Sequence, residues 1–233
     1  MFNSLQFYAM LQVVLTVTEK GLYCEKGGFY VDPTQPVENA VITHAHADHA
    51  RFGMGQYICT SLTAEILSVR LGPKINILAL DYYKILTVNS VKITLVPAGH
   101  ILGSAQVVID DGNKKAVITG DFKLDEDSTV DSFEHVKCDL LVMETTFALP
   151  LYRWPSLTTV INQVHSFWKK NIDLGAHTIL YAYSLGKAQR LIANLDFSVG
   201  PIAVHPAIEK INSIYFSAGK LKNQPLAANK LLI

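Results

Sequence analysis

The chain has 233 residues, of which 49% are hydrophobic and only 17% are charged, a composition that excludes an intrinsically disordered protein. Twenty Lys plus Arg balance twenty Asp plus Glu, and this neutral total excludes a uniformly basic nucleic-acid binder. The charges are unevenly distributed, because residues 1–149 contain 11 basic and 17 acidic residues whereas residues 150–233 contain 9 and 3. The first part therefore suits cations, and the second suits a polyanion such as a phosphate backbone.

The cysteines and the N-terminal segment indicate a cytoplasmic protein without a membrane anchor. Cys24, Cys59 and Cys138 form neither a disulfide framework nor a CxxC metal knuckle, which favours a reducing compartment. The first 18 residues carry no charge, but they lack the basic start and the unbroken apolar run of a signal peptide. No apolar run reaches the ~20 residues that a membrane span needs.

The first part of the chain is predicted to be rich in short strands. One helix is expected over Ser61–Leu71, with Ser61 as its cap and Gly72-Pro73 as its end. The Asp111-Gly112-Asn113 sequence predicts a hairpin turn between two strands. The expected strands are Leu11–Val17, Gly28–Val31, Ala40–Thr43, Tyr83–Val88, Val91–Val96, Ala105–Asp110, Lys115–Thr119 and Leu140–Glu144.

The character of the sequence changes near Pro150, where helical and strand patterns begin to alternate. This alternation predicts a small α/β unit with a parallel sheet. We therefore expect a first domain over residues 1–150 and a second over residues 151–233. The expected elements of the second are helices at Pro155–Lys170, Leu185–Asn194 and Ala207–Ala218, with strands at Thr178–Tyr183 and Pro201–His205.

The strongest functional signal is a string of four potential metal ligands directly after the strand Ala40–Thr43: His44, His46, Asp48 and His49. A loop at a strand end lets such side chains converge on one centre, and the small Ala45 and Ala47 between them favour a tight fold. Imidazole and carboxylate are ligands for Zn²⁺ or Mn²⁺. A polar surface loop with chance histidines is the alternative interpretation.

Two later residues, His100 and Asp121, extend this set. Each follows a predicted strand and each is preceded by a glycine, which we expect to let the backbone approach a metal closely. Either residue alone would be an ordinary loop side chain. Together with the histidine string, they are predicted to be ligands.

These residues resemble the ligand set of the metallo-β-lactamase superfamily, and Asp32 resembles its early structural aspartate. More closely, the chain resembles the β-CASP nucleases, in particular the bacterial ligase-associated DNA exonucleases. The resemblance covers residues 16–219 or thereabouts. The stretches that carry it are Glu19–Pro33, Val41–Arg51, Val96–Gln106, Thr119–Leu124, Glu144–Pro155 and Tyr183–Arg190.

The resemblance implies the fold and the roles of the site residues. The implied fold is a metallo-β-lactamase αββα sandwich, incomplete at the C-terminus, with part of a β-CASP α/β insert. A centre of two divalent ions, Zn²⁺ or alternatively Mn²⁺, would stabilise the charge that develops on a phosphate. In this arrangement one ion is held by His44, His46 and His100, the second by Asp48 and His49, and Asp121 bridges them.

The implied catalytic residues are Asp48, Asp121 and Glu144, of which Glu144 matches the acidic residue that orients a catalytic histidine in the family. Family members continue well beyond the length of this chain, and their last segment supplies two further histidines. The tail Lys220–Ile233 does not resemble that segment, so we expect a C-terminally truncated chain with a weak second metal site. Loss of a general acid would lower the rate by about 10²–10⁴-fold.

The second part of the chain carries candidates for substrate binding. Ser184 is a plausible N-cap of a helix whose free N–H groups, helped by Lys187 and Arg190, could hold a phosphate, although a capped helix with a solvated basic face is the alternative. Three aromatic residues could stack on bases or could equally pack in a core: Tyr152, Trp154 and Tyr183. Four further histidines are expected to be structural or solvent-facing: His135, His165, His177 and His205.

The resemblance favours a metal-dependent phosphodiesterase, a DNA exonuclease that works beside an ATP-dependent DNA ligase in repair. An RNA-processing nuclease is the nearest alternative, because no residue distinguishes the sugars. A thioester or lactone hydrolase on the same metal core, and an inactive remnant that binds metal or nucleic acid, remain open.

Overall fold

The computed structural model describes residues 14–227 and divides into two compact units, residues 1–144 and residues 145–233. The charge imbalance coincides with this division, because residues 145–149 contain no charged side chain. The first unit accordingly has a net charge of −6 and the second a net charge of +6.

The first unit contains two sheets. In the first sheet the strands follow the order of the sequence, with three antiparallel strands succeeded by three that add in parallel. Its strands are β1 (Thr16–Thr18), β2 (Gly21–Cys24), β3 (Phe29–Val31), β4 (Asn39–Val41), β5 (Gln56–Thr60) and β6 (Ile77–Leu80).

The second sheet has the order β11-β10-β9-β8-β7, and all its neighbours are antiparallel except β10 and β11. Lys115 pairs with Asp110, which confirms the hairpin predicted at residues 111–113. The strands are β7 (Ile85–Val88), β8 (Val91–Pro97), β9 (Ala105–Asp110), β10 (Lys115–Ile118) and β11 (Leu140–Val142).

The two sheets share one hydrophobic core, as expected for a sandwich. Val31 and Val41 of the first sheet belong to the same buried cluster as Ile93 and Ile109 of the second. The first sheet is covered on its other side by α1 (Ser61–Leu71), which packs against β5 and β6. On the second sheet, a smaller cluster of Val96, Val108 and Val117 is covered by Val136 and Cys138. This mixed α/β architecture agrees with the predicted fold class.

Helix α1 has the predicted limits but a different cap. Thr60, rather than Ser61, accepts the Thr63 N–H through its side chain, at 3.1 Å. The Ser61 hydroxyl instead donates to Asp81, at 2.8 Å. The cap lies one residue earlier because Thr60 ends β5 in an extended conformation, which is the backbone geometry of an N-cap.

The second unit contains three helices and one short parallel strand pair within the residues described. The helices are α2 (Leu157–Asp173), α3 (Lys187–Asn194) and α4 (Pro206–Ser217); β12 (Ala203–Val204) pairs with β13 (Leu226–Ala227). The strand predicted over Thr178–Tyr183 is wrong, since this segment has no regular structure. Apolar residues alone do not make a strand, which needs a hydrogen-bonding neighbour.

Other differences concern short strands. β2, β5, β6 and β13 were not predicted, because their sequences lack the alternation of apolar and polar residues that marks a strand. The strand expected over Leu11–Val17 begins only at Thr16 within the described residues, and residues 11–13 lie outside them. No helix between residues 14 and 227 is long and apolar enough to cross a membrane.

Candidate metal centre

The predicted ligands all follow the carboxyl ends of strands in the first unit. The histidine string follows β4, His100 follows β8 and Asp121 follows β10. The structure brings these residues from both sheets into one cluster, with Asp32, which follows β3, beside them. Long-range pairing of the strands thus assembles a site from residues that are up to 89 positions apart.

Four ligand atoms form the first group. The Nε2 atoms of His44 and His100 lie 3.1 and 3.2 Å from Nδ1 of His46. Oδ2 of Asp121 lies 3.5 Å from His100 Nε2 and 3.8 Å from His44 Nε2. Tetrahedral coordination with Zn²⁺ bonds of 2.0–2.2 Å separates ligand atoms by about 3.4 Å. The donor set and its spacing therefore fit a tetrahedral Zn²⁺ site.

A second group shares Asp121 with the first. Oδ1 of Asp121 lies 3.2 Å from His49 Nε2, and Oδ2 of Asp48 lies 3.8 Å from the same nitrogen. The two oxygens of Asp121 are thus directed at different histidine groups, as a bridging carboxylate requires. The side chain of Asp48 is 73% exposed, so the second group is more open to solvent than the first.

A hydrogen-bonded chain behind the ligands orients two of the rings. Thr43 donates its N–H to Asp32 Oδ1 at 2.8 Å and its hydroxyl to Asp32 Oδ2 at 2.5 Å. His49 Nδ1 lies 2.7 Å from Asp32 Oδ2, and His44 Nδ1 lies 3.0 Å from the Thr43 hydroxyl oxygen. With both Nδ1 atoms acting as donors, each Nε2 lone pair is available to a metal.

Asp32, His44 and His49 are themselves close enough to hold an ion. However, both oxygens of Asp32 already accept hydrogen bonds, one of them from the ring of His49. Carboxylates that bond the second nitrogen of a ligating histidine commonly hold the ring in place without touching the metal. We therefore interpret Asp32 as an orienting residue, which agrees with its expected structural role.

The electrostatics of the cluster separate its histidines. Burial, reinforced by the neighbouring rings, lowers the pKa of His44 well below its usual value and that of His100 to about 4. Burial also lowers the pKa of His49, but hydrogen bonds to Asp121 and Asp32 outweigh it and raise this pKa to about 10. The hydrogen bond to His49 in turn lowers the pKa of Asp121. Without a metal, the rings of His44 and His100 are thus neutral, whereas His49 is protonated and its Nε2 lone pair becomes available only when a cation displaces that proton.

The glycines before His100 and Asp121 pack closely against neighbouring parts of the protein. Gly99 and Gly120 have φ values of +76° and +55°, which favour glycine. A Cβ at Gly120 would lie 2.5 Å from the Thr43 hydroxyl, and a Cβ at Gly99 would overlap the carbonyl oxygen of Lys123. These glycines therefore permit close approach of neighbouring protein segments, which position the ligands.

Two further features of the first unit bear on the site. Nη1 of Arg70, on α1, donates to the Ala45 carbonyl at 2.5 Å and thereby stabilises the loop that contains His44 and His46. A cavity of about 270 Å³ opens beside Asp48 and His49 and is also lined by Glu144. Sequence reasoning missed Thr43 and Arg70, because a threonine and an arginine near a metal motif carry no signal of their own.

In the second unit the structure does not make Ser184 an N-cap. Helix α3 begins at Lys187, and its cap is Gly186, with φ +88°. The Gly186 N–H donates to Oε1 of the buried Gln189 at 2.7 Å, and Nε2 of Gln189 donates to the Ser184 carbonyl at 3.0 Å. The interior side chain of Gln189 thus performs the capping expected of Ser184.

The remaining candidates, all in the second unit except His135 in the first, are mostly at the surface. Lys187 is exposed, with its Nζ 5.2 Å from the centre of the Tyr183 ring, and Arg190 is partly buried. His165 Nε2 accepts the Asp196 N–H at 2.9 Å, and His205 caps α4 by accepting the Ala207 N–H at 3.2 Å. His135 and His177 are exposed. These four histidines therefore have structural or surface positions.

Comparison with known proteins identifies the relatives of this chain. It is 33% identical over 202 residues to a protein named probable DNA ligase from Opitutus terrae, which covers 85% of this chain and 20% of that protein. It is 33% identical over 146 residues to endoribonuclease YSH1 of Yarrowia lipolytica, covering 60% of this chain and 16% of the relative. An RNase J-like protein of Methanocaldococcus jannaschii is 24% identical over 225 residues, with coverages of 84% and 48%.

The chain belongs to the metallo-β-lactamase superfamily, in its β-CASP branch. This membership agrees with the clustered histidines and with the two-sheet fold. No protein-family model matches the chain. The chain spans about half the length of the RNase J-like protein and a fifth or less of the length of the other two relatives.

Proposed function

We propose that this protein is a metal-dependent nuclease, a phosphodiesterase that uses two divalent ions. The observation that carries the proposal is the position of Asp121, whose two carboxylate oxygens face two separate groups of ligands. In this assignment His44, His46 and His100 hold one ion, Asp48 and His49 hold the other, and Asp121 bridges them. Zn²⁺ fits the spacing of the first group best, and Mn²⁺ is the alternative.

Bound divalent ions at this site would act as Lewis acids on a phosphate. The residues of the chain supply the positioning. Asp32 and Thr43 hold the rings of His44 and His49 so that their Nε2 atoms face Asp121, where the ions would be held. Glu144 lines the cavity beside the second group, and the role that we propose for it is to orient a proton-transferring group.

DNA is the substrate that we propose, with the activity exonucleolytic and linked to ligation during repair. The similarity to part of a protein named probable DNA ligase supports this, because it implies that a segment similar to this chain occurs in the same polypeptide as the activity which that name states. RNA processing is the second candidate, which the similarity to endoribonuclease YSH1 and to an RNase J-like protein favours. An ATP-dependent DNA ligase is the proposed partner, acting in the cytoplasm.

The two units take different parts in this proposal. Residues 1–144 correspond to the metallo-β-lactamase-like metal-binding domain, and residues 145–233 to part of the β-CASP-like domain. The net charge of +6 of the second unit suits a nucleic-acid backbone. Within it Ser184, Lys187 and Arg190 remain the proposed phosphate contacts, with the charged side chains of Lys187 and Arg190 as the main ones.

A comparison of Asp121→Asn with Asp125→Asn tests the proposal. Asp125 is an exposed aspartate four residues away and serves as the matched control. We expect the wild-type chain to bind two metal equivalents in a titration, the second more weakly than the first, and to degrade end-labelled single-stranded DNA slowly when Mn²⁺ or Zn²⁺ is added. Asp121→Asn should lose at least one equivalent and most of the activity, because an amide cannot bridge two cations as a carboxylate does.

The same assay separates the alternatives. Faster degradation of RNA than of DNA of matching sequence would favour the RNA-processing function. Turnover of a thioester without degradation of either nucleic acid would contradict the nuclease assignment. If the wild-type chain binds metal but degrades none of these substrates, an inactive remnant is the better interpretation.

A further inference from the structure

Three aromatic side chains lie together on the surface near the start of the second unit. Phe147, Tyr152 and Trp154 are 57%, 40% and 70% exposed, although each would gain from burial. The rings of Tyr152 and Trp154 are only 17° from parallel, with centroids 6.3 Å apart. The ring of Phe147 is nearly perpendicular to both, with centroids 5.1 and 5.6 Å away. We call this arrangement the aromatic slot.

The spacing of the two parallel rings follows from the backbone. Tyr152 and Trp154 are two residues apart in a segment without helical structure. Alternate side chains of an extended chain point to the same side and are separated by about 6.6 Å. The observed centroid distance of 6.3 Å is close to this spacing, so both rings lie on the same side of the segment, with Phe147 packed against them.

Arg153 supplies a positive charge beside the slot, because it lies between Tyr152 and Trp154 in the sequence and is exposed. The second unit as a whole has a net charge of +6. Basic side chains combined with stacking rings are how proteins bind single-stranded nucleic acid without sequence preference.

We propose that the aromatic slot binds one base of a single-stranded nucleic acid, stacked on the exposed ring of Trp154, with Arg153 at an adjacent phosphate. This inference rests on the proposed nuclease function and specifies the form of its substrate. Bases within a duplex are already stacked and paired, so they cannot enter such a slot. Every base has an aromatic face, so binding here is independent of sequence and of the sugar.

Fluorescence of Trp154 reports directly on the slot. The chain has two tryptophans, so Trp168→Phe leaves Trp154 as the sole emitter. Titration of this variant with a phosphorothioate single strand, which resists degradation, should quench the emission in a saturable manner. The same sequence as a blunt duplex should quench it far less.

Affinity measurements on slot variants then test stacking. Trp154→Ala should weaken binding of a labelled single strand by about tenfold or more. Trp154→Phe should remain close to wild type because it keeps an aromatic face, whereas Trp154→Leu should resemble the alanine variant. Phe167→Ala is the matched control, since Phe167 is also exposed (53%) in the second unit but lies outside the slot.

Three results would overturn the proposal. Unchanged affinity of Trp154→Ala, with wild-type binding and DNA degradation intact, would refute the slot and leave the nuclease function standing. If the Trp154 emission changes with protein concentration but not with added oligonucleotide, the slot is instead an interface between copies of the chain. A wild-type chain that neither binds nor degrades nucleic acid would refute the proposed function together with the slot.

Discussion

Replacement of Thr43 by valine tests the claim that residues behind the ligands prepare the metal site. Thr43 is 1% exposed, and its hydroxyl donates to Asp32 at 2.5 Å while lying 3.0 Å from Nδ1 of His44. Valine has nearly the same shape but no hydroxyl, so it removes both hydrogen bonds. The ring N–H of His44, which is fully buried, would then have lost its acceptor.

The structure permits an estimate of two separate effects. A buried polar group that loses its partner costs about 1–3 kcal/mol, so the free energy of unfolding should fall by that amount. Loss of a hydrogen bond that orients a ligating histidine lowers metal affinity by about 10–100-fold. The loss of metal affinity should be measurable in the folded protein, without denaturant.

The assay is competition for Zn²⁺ between the protein and a chromophoric chelator, together with urea unfolding. Thr129→Val is the matched control, because Thr129 is also buried and its hydroxyl donates to an aspartate, Asp127, at 2.6 Å. We expect both variants to lose stability but only Thr43→Val to lose Zn²⁺ affinity. Wild-type affinity in Thr43→Val, or equal losses in the two variants, would refute the reasoning.

Two further predictions concern other parts of the first unit. Gly99→Ala should lower the free energy of unfolding in urea by more than Gly112→Ala, because both have positive φ but only the Cβ at Gly99 meets the Lys123 carbonyl; equal losses would contradict the close-approach argument. Among the cysteines, Cys138 should react with maleimide before Cys59, since burial raises the pKa of Cys59 to about 12 and Cys138 is only partly buried. Mass spectrometry of the native protein measures this order, and early labelling of Cys59 would argue against its burial.

Local sequence signals predicted the limits of an element correctly where particular residues mark its ends. Helix α1 and strand β9 have the predicted limits, because their apolar periodicity is bounded by clear end signals such as Gly72. The strand predicted over Thr178–Tyr183 failed for the opposite reason. Its apolar residues favour an extended chain, but a strand also requires a neighbouring strand to which it can hydrogen-bond. The sequence of the segment does not show whether such a neighbour exists.

The capping of α3 shows the same limit. Ser184 has the side chain of a good cap, yet it is Gln189, inside the helix, whose Oε1 accepts the N–H of the cap residue Gly186. Nε2 of the same side chain donates to Asn212 on α4, at 2.9 Å. That bond exists only when α3 and α4 pack together. Tertiary contact therefore selected between two possible caps.

The sequence by itself determined the chemistry of this protein. Four ligands within six residues, followed by His100 and Asp121 after later strands, specify a centre for divalent cations because imidazole and carboxylate are the groups such ions bind. The uneven charge likewise predicts that one half binds cations and the other a polyanion. These conclusions need only residue types and their order.

Only the tertiary structure decided how those groups are arranged. Strand pairing within each sheet and packing of the two sheets bring His44, His49 and His100 within 3.2–3.8 Å of Asp121 and direct its two oxygens at different histidines. They also leave three aromatic rings of the second unit exposed. The distances to Asp121 join residues 21 to 77 positions apart in the chain, so no local pattern can encode them.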